Sequence, residues 1–280
     1  MPPERPKERK SPRILIADDN KDFGGRVTIH HSFNEIIAND WNALIPPDSP
    51  ILRHEFLSAF ETSGCVIQDT GWEPHHLGLY DAGKLVAAAP CYLKYHSYGE
   101  YIFDWDWARA YQRAGIAYYP KLLLAIPFTP ISGKRLLTHP NVDRQLAGSV
   151  ISAAVLQLAE DTSASSIHSL FTTPDDNELL KAVGFIQRRG NQFHWENHDY
   201  ENFTDFVSAL NSKRRKNILR ERRTIERNHI SFRWLSGHSA TTRDWSFFYS
   251  CYQATIEEHS AIPYLNESFF QLIGETMPDH

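Results

Sequence analysis

The sequence predicts a mixed α/β sheet flanked by helices, followed by a mostly helical C-terminal part. Three patterns carry that expectation. Leu77 to Lys94 holds two apolar runs separated by Asp81-Ala-Gly-Lys84, the mark of a hairpin. Leu122 to Phe128 is apolar without a break and bounded by Pro and Gly, the form of a strand buried on both faces. From Leu146 to Glu196 the periodicity alternates between helix and strand, which lays crossover helices on a sheet.

Composition bounds the class. A chain of 280 residues with 41% hydrophobic and 12% aromatic residues makes one large or two ordinary globular domains. No run approaches the roughly 18 apolar residues that span a bilayer, and no charged-then-apolar leader opens the chain. A cytoplasmic protein is therefore expected. Cys65, Cys91 and Cys251 are far apart and unpaired in spacing, so they read as buried thiols rather than a disulfide framework or a zinc site. His30-His31 and His75-His76 are adjacent pairs. On a strand such neighbours point to opposite faces, and no third ligand stands at a metal-binding spacing, so no metal is expected.

In chain order, residues 1–12 are Pro-rich and basic, and 1–25 are expected to be disordered. Ile14 to Asn20 looks like the first strand and acidic pair of a response-regulator receiver. No later strand ends in a phosphorylatable Asp at a suitable distance, so the likeness stops there. Val27 to His30 reads as a strand, and Phe33 to Leu44 as a helix ended by Pro46 and Pro47. Leu52 to Ser63 is a second helix with Phe56, Leu57 and Phe60 on one face. Pro90 inside the hairpin's second run argues for a bulge or an edge position. The segment His96 to Tyr111 is rich in aromatics, and Phe103, Trp105 and Trp107 alternate with Asp104 and Asp106. As a strand it would put aromatics on one face and carboxylates on the other. That is either a half-buried core strand or a cleft wall whose acids could orient or deprotonate an amine.

Helix is expected over Leu146 to Glu160, with Val150, Ile151, Ala154, Val155 and Leu158 on one face, and strand over Ile167 to Thr172. Thr173-Pro-Asp-Asp is an N-cap with Pro at the first helical position, and Gly184 stops that helix before a strand from Phe185. Gln192 to Glu196 alternates as a further strand. The C-terminal part reads as a helix over Asn202 to Leu210, a basic helix from Ser212 to Asn228, a strand over Ile230 to Leu235, and helices over Asp244 to Glu258 and Asn266 to Met277.

The basic helix stands out electrostatically. Residues 213–227 hold eight Lys/Arg against two Glu, a local charge of +6 in a chain whose net charge is −5. Ser212 is a plausible N-cap. Four successive cations, Lys213 to Lys216, then sit at the end of the helix where the macrodipole is already positive, which local stability does not favour. A bound anion would be stabilised there by side chains and free backbone N–H groups together. The competing account is a solvated face whose Glu221 and Glu226 pair locally with arginines.

A family resemblance now has its residues on the page. Glu178-Leu-Leu-Lys-Ala-Val-Gly-Phe185 resembles the late helix and strand start of the GNAT acyltransferase fold. Phe103-Asp-Trp, Tyr119-Pro-Lys-Leu, Pro127-Phe-Thr-Pro130, Gln192-Phe-His-Trp195 and Lys213-Arg-Arg-Lys-Asn-Ile218 resemble, in order, the FemAB-like peptidoglycan biosynthesis/recognition proteins of bacteria, from about Pro50 to the C-terminus. The resemblance implies two GNAT-like modules, residues 26–197 and 198–280. The second lacks most of the strands its relatives have, so a C-terminal truncation is expected, with an exposed apolar surface or self-association through the incomplete module.

FemAB proteins transfer an amino acid from aminoacyl-tRNA to an amine on a peptidoglycan precursor. By resemblance this chain would be an acyl or aminoacyl transferase, possibly inactive as truncated, whose donor is aminoacyl-tRNA or an acyl-CoA. The junction Thr138 to Gly148 has no glycine cluster to cradle a pyrophosphate, which argues against acetyl-CoA in the first module. Asp104 and Asp106 would be candidate bases, with His96 and Glu100 as alternates. Trp105, Trp107, Tyr111, Lys121, Phe128 and Thr129 would line the substrate, while Lys213, Arg214, Arg215, Lys216 and Arg220 would hold phosphates of tRNA or of a nucleotide-sugar carrier. No Ser-His-Asp or Cys-His arrangement supports a covalent acyl-enzyme. The other class is a non-catalytic module of the same fold that binds an anionic ligand, a peptidoglycan precursor or RNA.

Overall fold

The computed structural model describes the backbone of Arg13–Leu15 and all of residues 25–280; the Pro-rich start and the acidic pair Asp18-Asp19 lie outside the described residues. The chain divides into two compact units, one running to Gln187 and taking in Ser236–His280, the other Arg188–Leu235.

In the first unit, the strands β1 (Arg13–Leu15), β2 (Arg26–His30), β3 (Trp72–Pro74), β4 (His76–Asp81), β5 (Lys84–Ala89), β6 (Cys91–Lys94), β7 (Lys121–Leu124), β8 (Leu137–Thr138) and β9 (Ile167–Ser169) form two sheets. Their orders are β1-β2-β4-β5-β8 and β3-β6-β7-β9. Every pairing is antiparallel except β7 with β9. The predicted hairpin is present, turning on Ala82 and Gly83 with φ of 46° and 80°, the double left-handed turn that matches strand twist.

Pro90 explains why there are two sheets. It separates β5 from β6, so one continuous run pairs with β8 before the proline and with β7 after it. The N–H of His75 bonds the carbonyl of Cys91 at 2.9 Å and carries the facing strand past the break.

β7 is buried on both faces, as its unbroken apolar run predicts. Leu123 points into a core with Trp72, Tyr92, Trp41, Leu57 and Phe60. Leu122 and Leu124 point the other way, into a core covered by α-helices. Small α1 (Ala38–Asn42) and α2 (His54–Thr62) supply the first layer. The predicted helix from Phe33 is broken: a 3-10 turn at Phe33–Glu35 and α1 are separated by Ile36 and Ile37 in extended backbone. β-branched side chains favour that conformation.

Following α3 (Trp105–Arg113), the second layer is α4 (Arg144–Asp161) and α5 (Pro174–Ala182). Asp143 caps α4, accepting from the N–H groups of Gln145 and Leu146. Thr173 caps α5 and Gly184, at φ 95°, ends it, both as expected. In the first turn of α5, Asp176 accepts from the Arg135 N–H and from Arg144, both at 2.5 Å. The fully buried Arg135 guanidinium donates to the carbonyls of Leu170 and Ile131, each at 2.8 Å, and so pins the far end of the loop after β7.

At the C-terminal end of the chain, α8 (Thr242–Glu258) and α9 (Glu267–Thr276) belong to this same unit. Phe269 of α9 stacks on Phe60 of α2 at 4.6 Å, and the Asn266 amide donates to the Ser63 carbonyl at 2.6 Å.

The second unit holds α6 (Phe203–Ala209) and α7 (Ser212–Arg227). Two expectations are corrected here. The cap of α7 is Asn211, whose side chain accepts from the Arg214 N–H, and Ser212 is the first helical residue. The segments read as strands over Gln192 to Glu196 and over Ile230 to Leu235 are irregular and exposed, with Phe193 and Trp234 fully in solvent, and the one from Phe185 in the first unit is irregular too, with Phe185 partly buried against the core under α4. Alternation reports a surface suited to pairing, but it does not by itself build a ladder, which needs a neighbouring strand in register. Among the described residues no helix is long and apolar enough to cross a membrane.

Candidate active site: a buried lysine held by two carboxyls

β6 leaves its sheet at Lys94 and β7 enters it at Lys121, and these two residues are direct partners across the ladder. Residues 95–120 form an excursion between them. It folds back over the lysines, and its polar side chains converge on the Lys121 ammonium. Lys121 Nζ donates to Ser97 Oγ and to Glu100 Oε2, each at 2.9 Å, and to Asp104 Oδ2. Tyr118 donates to that same Asp104 oxygen at 2.6 Å, and the Tyr119 hydroxyl lies 2.8 Å from Ser97 Oγ. Lys121 is 0% exposed, Asp104 1% and Glu100 3%. Each carboxyl spends one oxygen on Lys121, and the other, Glu100 Oε1 or Asp104 Oδ1, is buried without a partner.

The two acids differ. Burial pushes Glu100 up to about 7, against the attraction of Lys121 and Lys94. Burial also acts on Asp104, but hydrogen bonds from Lys121, Ser97 and Tyr118 outweigh it and hold that carboxyl below its usual range. Asp104 is therefore the fixed counter-ion of Lys121, and Glu100 is the acid able to gain or lose a proton near neutrality.

Lys94 is also 0% exposed. Its Nζ lies 3.7 Å over the Trp72 ring, donates to the Tyr98 carbonyl at 3.2 Å and stands 3.4 Å from His96 Nδ1. Burial brings it down to about 6, so it is an uncharged amine at pH 7. The His96 ring donates from Nε2 to the Thr70 carbonyl at 2.8 Å, which leaves Nδ1 to accept from the Tyr98 N–H at 3.2 Å. His96 sits flat against Gly71, where a Cβ would collide with the ring.

Glu100, Asp104 and Lys121 are thus brought together, with His96 joined to them through Lys94. The expected strand around Asp104 is not formed. Asp104 is the residue before α3, and Trp105 to Arg113 are helical. Ala108 and Ala110 favour helix, and three alternations are too few to overrule them. Asp106 consequently points to solvent and pairs with Arg109, outside the cluster. Trp105 packs edge-on to Tyr98 at 5.0 Å, Trp107 is exposed, and Tyr111 packs against Tyr118 at 5.1 Å. Phe128 stacks on Tyr264 at 5.1 Å and meets Trp72 edge-on, while the Thr129 hydroxyl bonds its own loop at Pro127.

On α7, Lys213, Arg214, Lys216 and Arg220 are exposed. Arg215 is committed to structure: it donates to the carbonyls of Val207, Ser208 and Leu210 at the end of α6. Sequence reasoning missed Lys94, Trp72, Ser97, Tyr118 and Tyr119. The available signal was a lysine at one end of each of two apolar runs, closing Cys91-Tyr-Leu-Lys94 and opening Lys121-Leu-Leu-Leu124.

The histidine pairs are spent on packing and hydrogen bonds. His76 bonds Glu61 at 2.8 Å and accepts the Cys91 N–H, and His31 packs on His75 at 4.7 Å. Among the described residues no group of three or more His, Cys, Asp or Glu is placed to hold a metal ion.

Fold and site together define an α/β protein with a buried cluster of two carboxyls on one lysine. The chain belongs to the FemAB-like family, described as peptidoglycan biosynthesis/recognition, whose pattern it matches over residues 32–280. Membership implies a peptidoglycan-related transferase role. No curated protein and no solved structure matches the chain.

Proposed function

We propose that the protein transfers an acyl or aminoacyl group to an amine of a cell-wall precursor or similar substrate, in the cytoplasm, on a GNAT-like scaffold, with aminoacyl-tRNA as donor. The observation that carries this reading is the pair of buried, unpartnered carboxyl oxygens beside Lys121. An acceptor amine reaches the site as an ammonium and must lose a proton before it can attack. Asp104 stays ionised and can hold such a cation. Glu100, with its proton affinity near neutral, can take the proton. Because both are closed off, substrate reaches them when the 95–103 stretch moves. The exposed α7 cations supply phosphate contacts for the donor without sequence readout.

The test is transfer of a labelled amino acid from aminoacyl-tRNA to a precursor amine. Glu100→Gln is expected to lower kcat by about 10²- to 10⁴-fold and Asp104→Asn to raise KM as well; wild-type rates in both variants would remove the cluster from catalysis. Alanine at Lys213, Arg214, Lys216 and Arg220 together is expected to weaken tRNA binding and flatten its salt dependence. An unchanged affinity at low salt would sink the role of α7. Exposed Phe193, Trp195, Phe232 and Trp234 support self-association through the Arg188–Leu235 unit. Sedimentation should show a concentration-dependent oligomer that serine at Phe232 and Trp234 abolishes, and a monomer throughout would refute it.

The second reading is a non-catalytic module that binds an anionic ligand, peptidoglycan precursor or RNA, through α7. The burial of the Lys121 cluster favours it, since a paired interior ion group can be structural. Salt-sensitive binding without turnover would decide for this reading.

A further inference from the structure

We propose that Tyr264, on the connector between α8 and α9, is the catch on the stretch that covers the Lys121 cluster. Docked, it is the positioning residue that holds Glu100 on Lys121; released, it lets that stretch lift and admit substrate. Only the kinetic part of this role rests on the transfer reading above.

The geometry begins on either side of Glu100. Its two neighbours are both left-handed, Gly99 at φ 80° and Tyr101 at φ 57°. On this bend the Glu100 carboxyl reaches in to Lys121, while the Tyr101 ring stays exposed. Glycine adopts such a backbone freely. For a tyrosine it is strained, and strain of that kind persists only where the surroundings hold it.

Tyr264 touches both sides of the bend. Its ring meets Tyr101 edge-on at 6.4 Å, and the Gly99 N–H hydrogen-bonds its hydroxyl. It also stacks on Phe128 at 5.1 Å, with 7° between the ring planes. Phe128 in turn fills the space beside Gly99, where a Cβ would lie 2.5 Å from the ring. Bend, Phe128 and Tyr264 are thus one packed unit, and Glu100 sits at its centre.

The catch is anchored away from the cluster. The N–H groups of Tyr264 and Leu265 donate to the Tyr252 hydroxyl on α8 at 3.1 and 3.4 Å. The connector then runs into Asn266 and Phe269, which are tied to Ser63 and Phe60 at α2. One ring therefore links a firmly seated connector to the strained bend that carries Glu100. The contact lies at the surface, with Tyr264 half-buried and Tyr101 exposed, so it can break without unfolding either element.

Two measurements that need no turnover test this in the full chain. In hydrogen exchange, Tyr264→Ala should speed the amides of residues 97–103 by about 10-fold, while those of α4 keep their protection. Tyr264→Phe keeps the ring and should restore most of the loss. Tyr101→Ala removes the other half of the contact and should act like Tyr264→Ala, and the double variant should exchange no faster than the faster single one. In labelling by acetic anhydride, read by mass spectrometry, wild-type Lys94 and Lys121 should react far more slowly than exposed Lys84, and Tyr264→Ala should close much of that gap. Unchanged exchange in Tyr264→Ala, acceleration spread evenly through α4, or additive effects in the double variant would overturn the catch. So would a wild-type Lys121 that labels as fast as Lys84.

The third measurement is kinetic. Tyr264→Ala should lower kcat by about 10-fold or more, because Glu100 is no longer held in place, and leave KM at or below its wild-type value. A raised KM with unchanged kcat would overturn the positioning role. If the exchange and labelling results hold while the wild type turns nothing over, the catch stands and the transfer reading falls.

Discussion

Lys121→Met is expected to lower the free energy of unfolding by about 3–5 kcal/mol, read from urea denaturation. The variant keeps the length of the side chain but removes the one charge that Glu100 and Asp104 share. Asp104 is then a buried carboxylate with only Tyr118 and Ser97 to satisfy it, and its proton affinity must rise. Adding Glu100→Gln and Asp104→Asn to Lys121→Met should restore much of the loss, because neutral amides need no counter-ion. A single variant within 1 kcal/mol of wild type, on the order expected of an exposed ion pair, would show that the cluster is more hydrated than its burial implies.

The second large effect is on stability against pH. Lys94 falls from 10.5 in the unfolded chain to about 6 in the fold. Between those values the unfolded state binds the extra proton, so stability rises with pH. Glu100 runs the other way: raised from 4.5 to about 7, it makes stability fall as pH increases through that window. His75, lowered from 6.5 to about 4 by burial, makes stability rise between pH 4 and 6.5 and largely offsets Glu100 there. Only Lys94 of the three acts above pH 7. Below the range where the Cys91 thiol and the tyrosine hydroxyls raised by burial begin to oppose it, stability should therefore climb from pH 7 to about pH 8.5 by on the order of 2 kcal/mol, and Lys94→Met should flatten the climb. A flat wild-type profile over that range would mean that Lys94 is charged in the fold.

Much of the frame was legible because periodic burial writes itself into the sequence. The hairpin, the two-faced strand β7, and the caps at Thr173 and Gly184 follow from local pattern and from φ preferences. What failed depended on partners. Gln192 to Glu196 and Ile230 to Leu235 alternate like strands yet are irregular. Asp104 was singled out on an alternation that turned out to belong to a helix, and its role comes from Lys121, 17 residues on. Lys94 left only the signal of a lysine at the end of an apolar run, because its importance comes from ladder register, which no single segment encodes.

That register has an evolutionary corollary. Because the chain departs at Lys94 and returns at Lys121 on the neighbouring strand, the two ends of the intervening stretch sit about one interstrand gap, ~4.8 Å, apart. Such a cassette can lengthen, shorten or be exchanged between homologues without re-threading anything beneath it, and lengthening costs little closure entropy. The sole condition is that each insert brings acids for the Lys121 ammonium waiting at the seam.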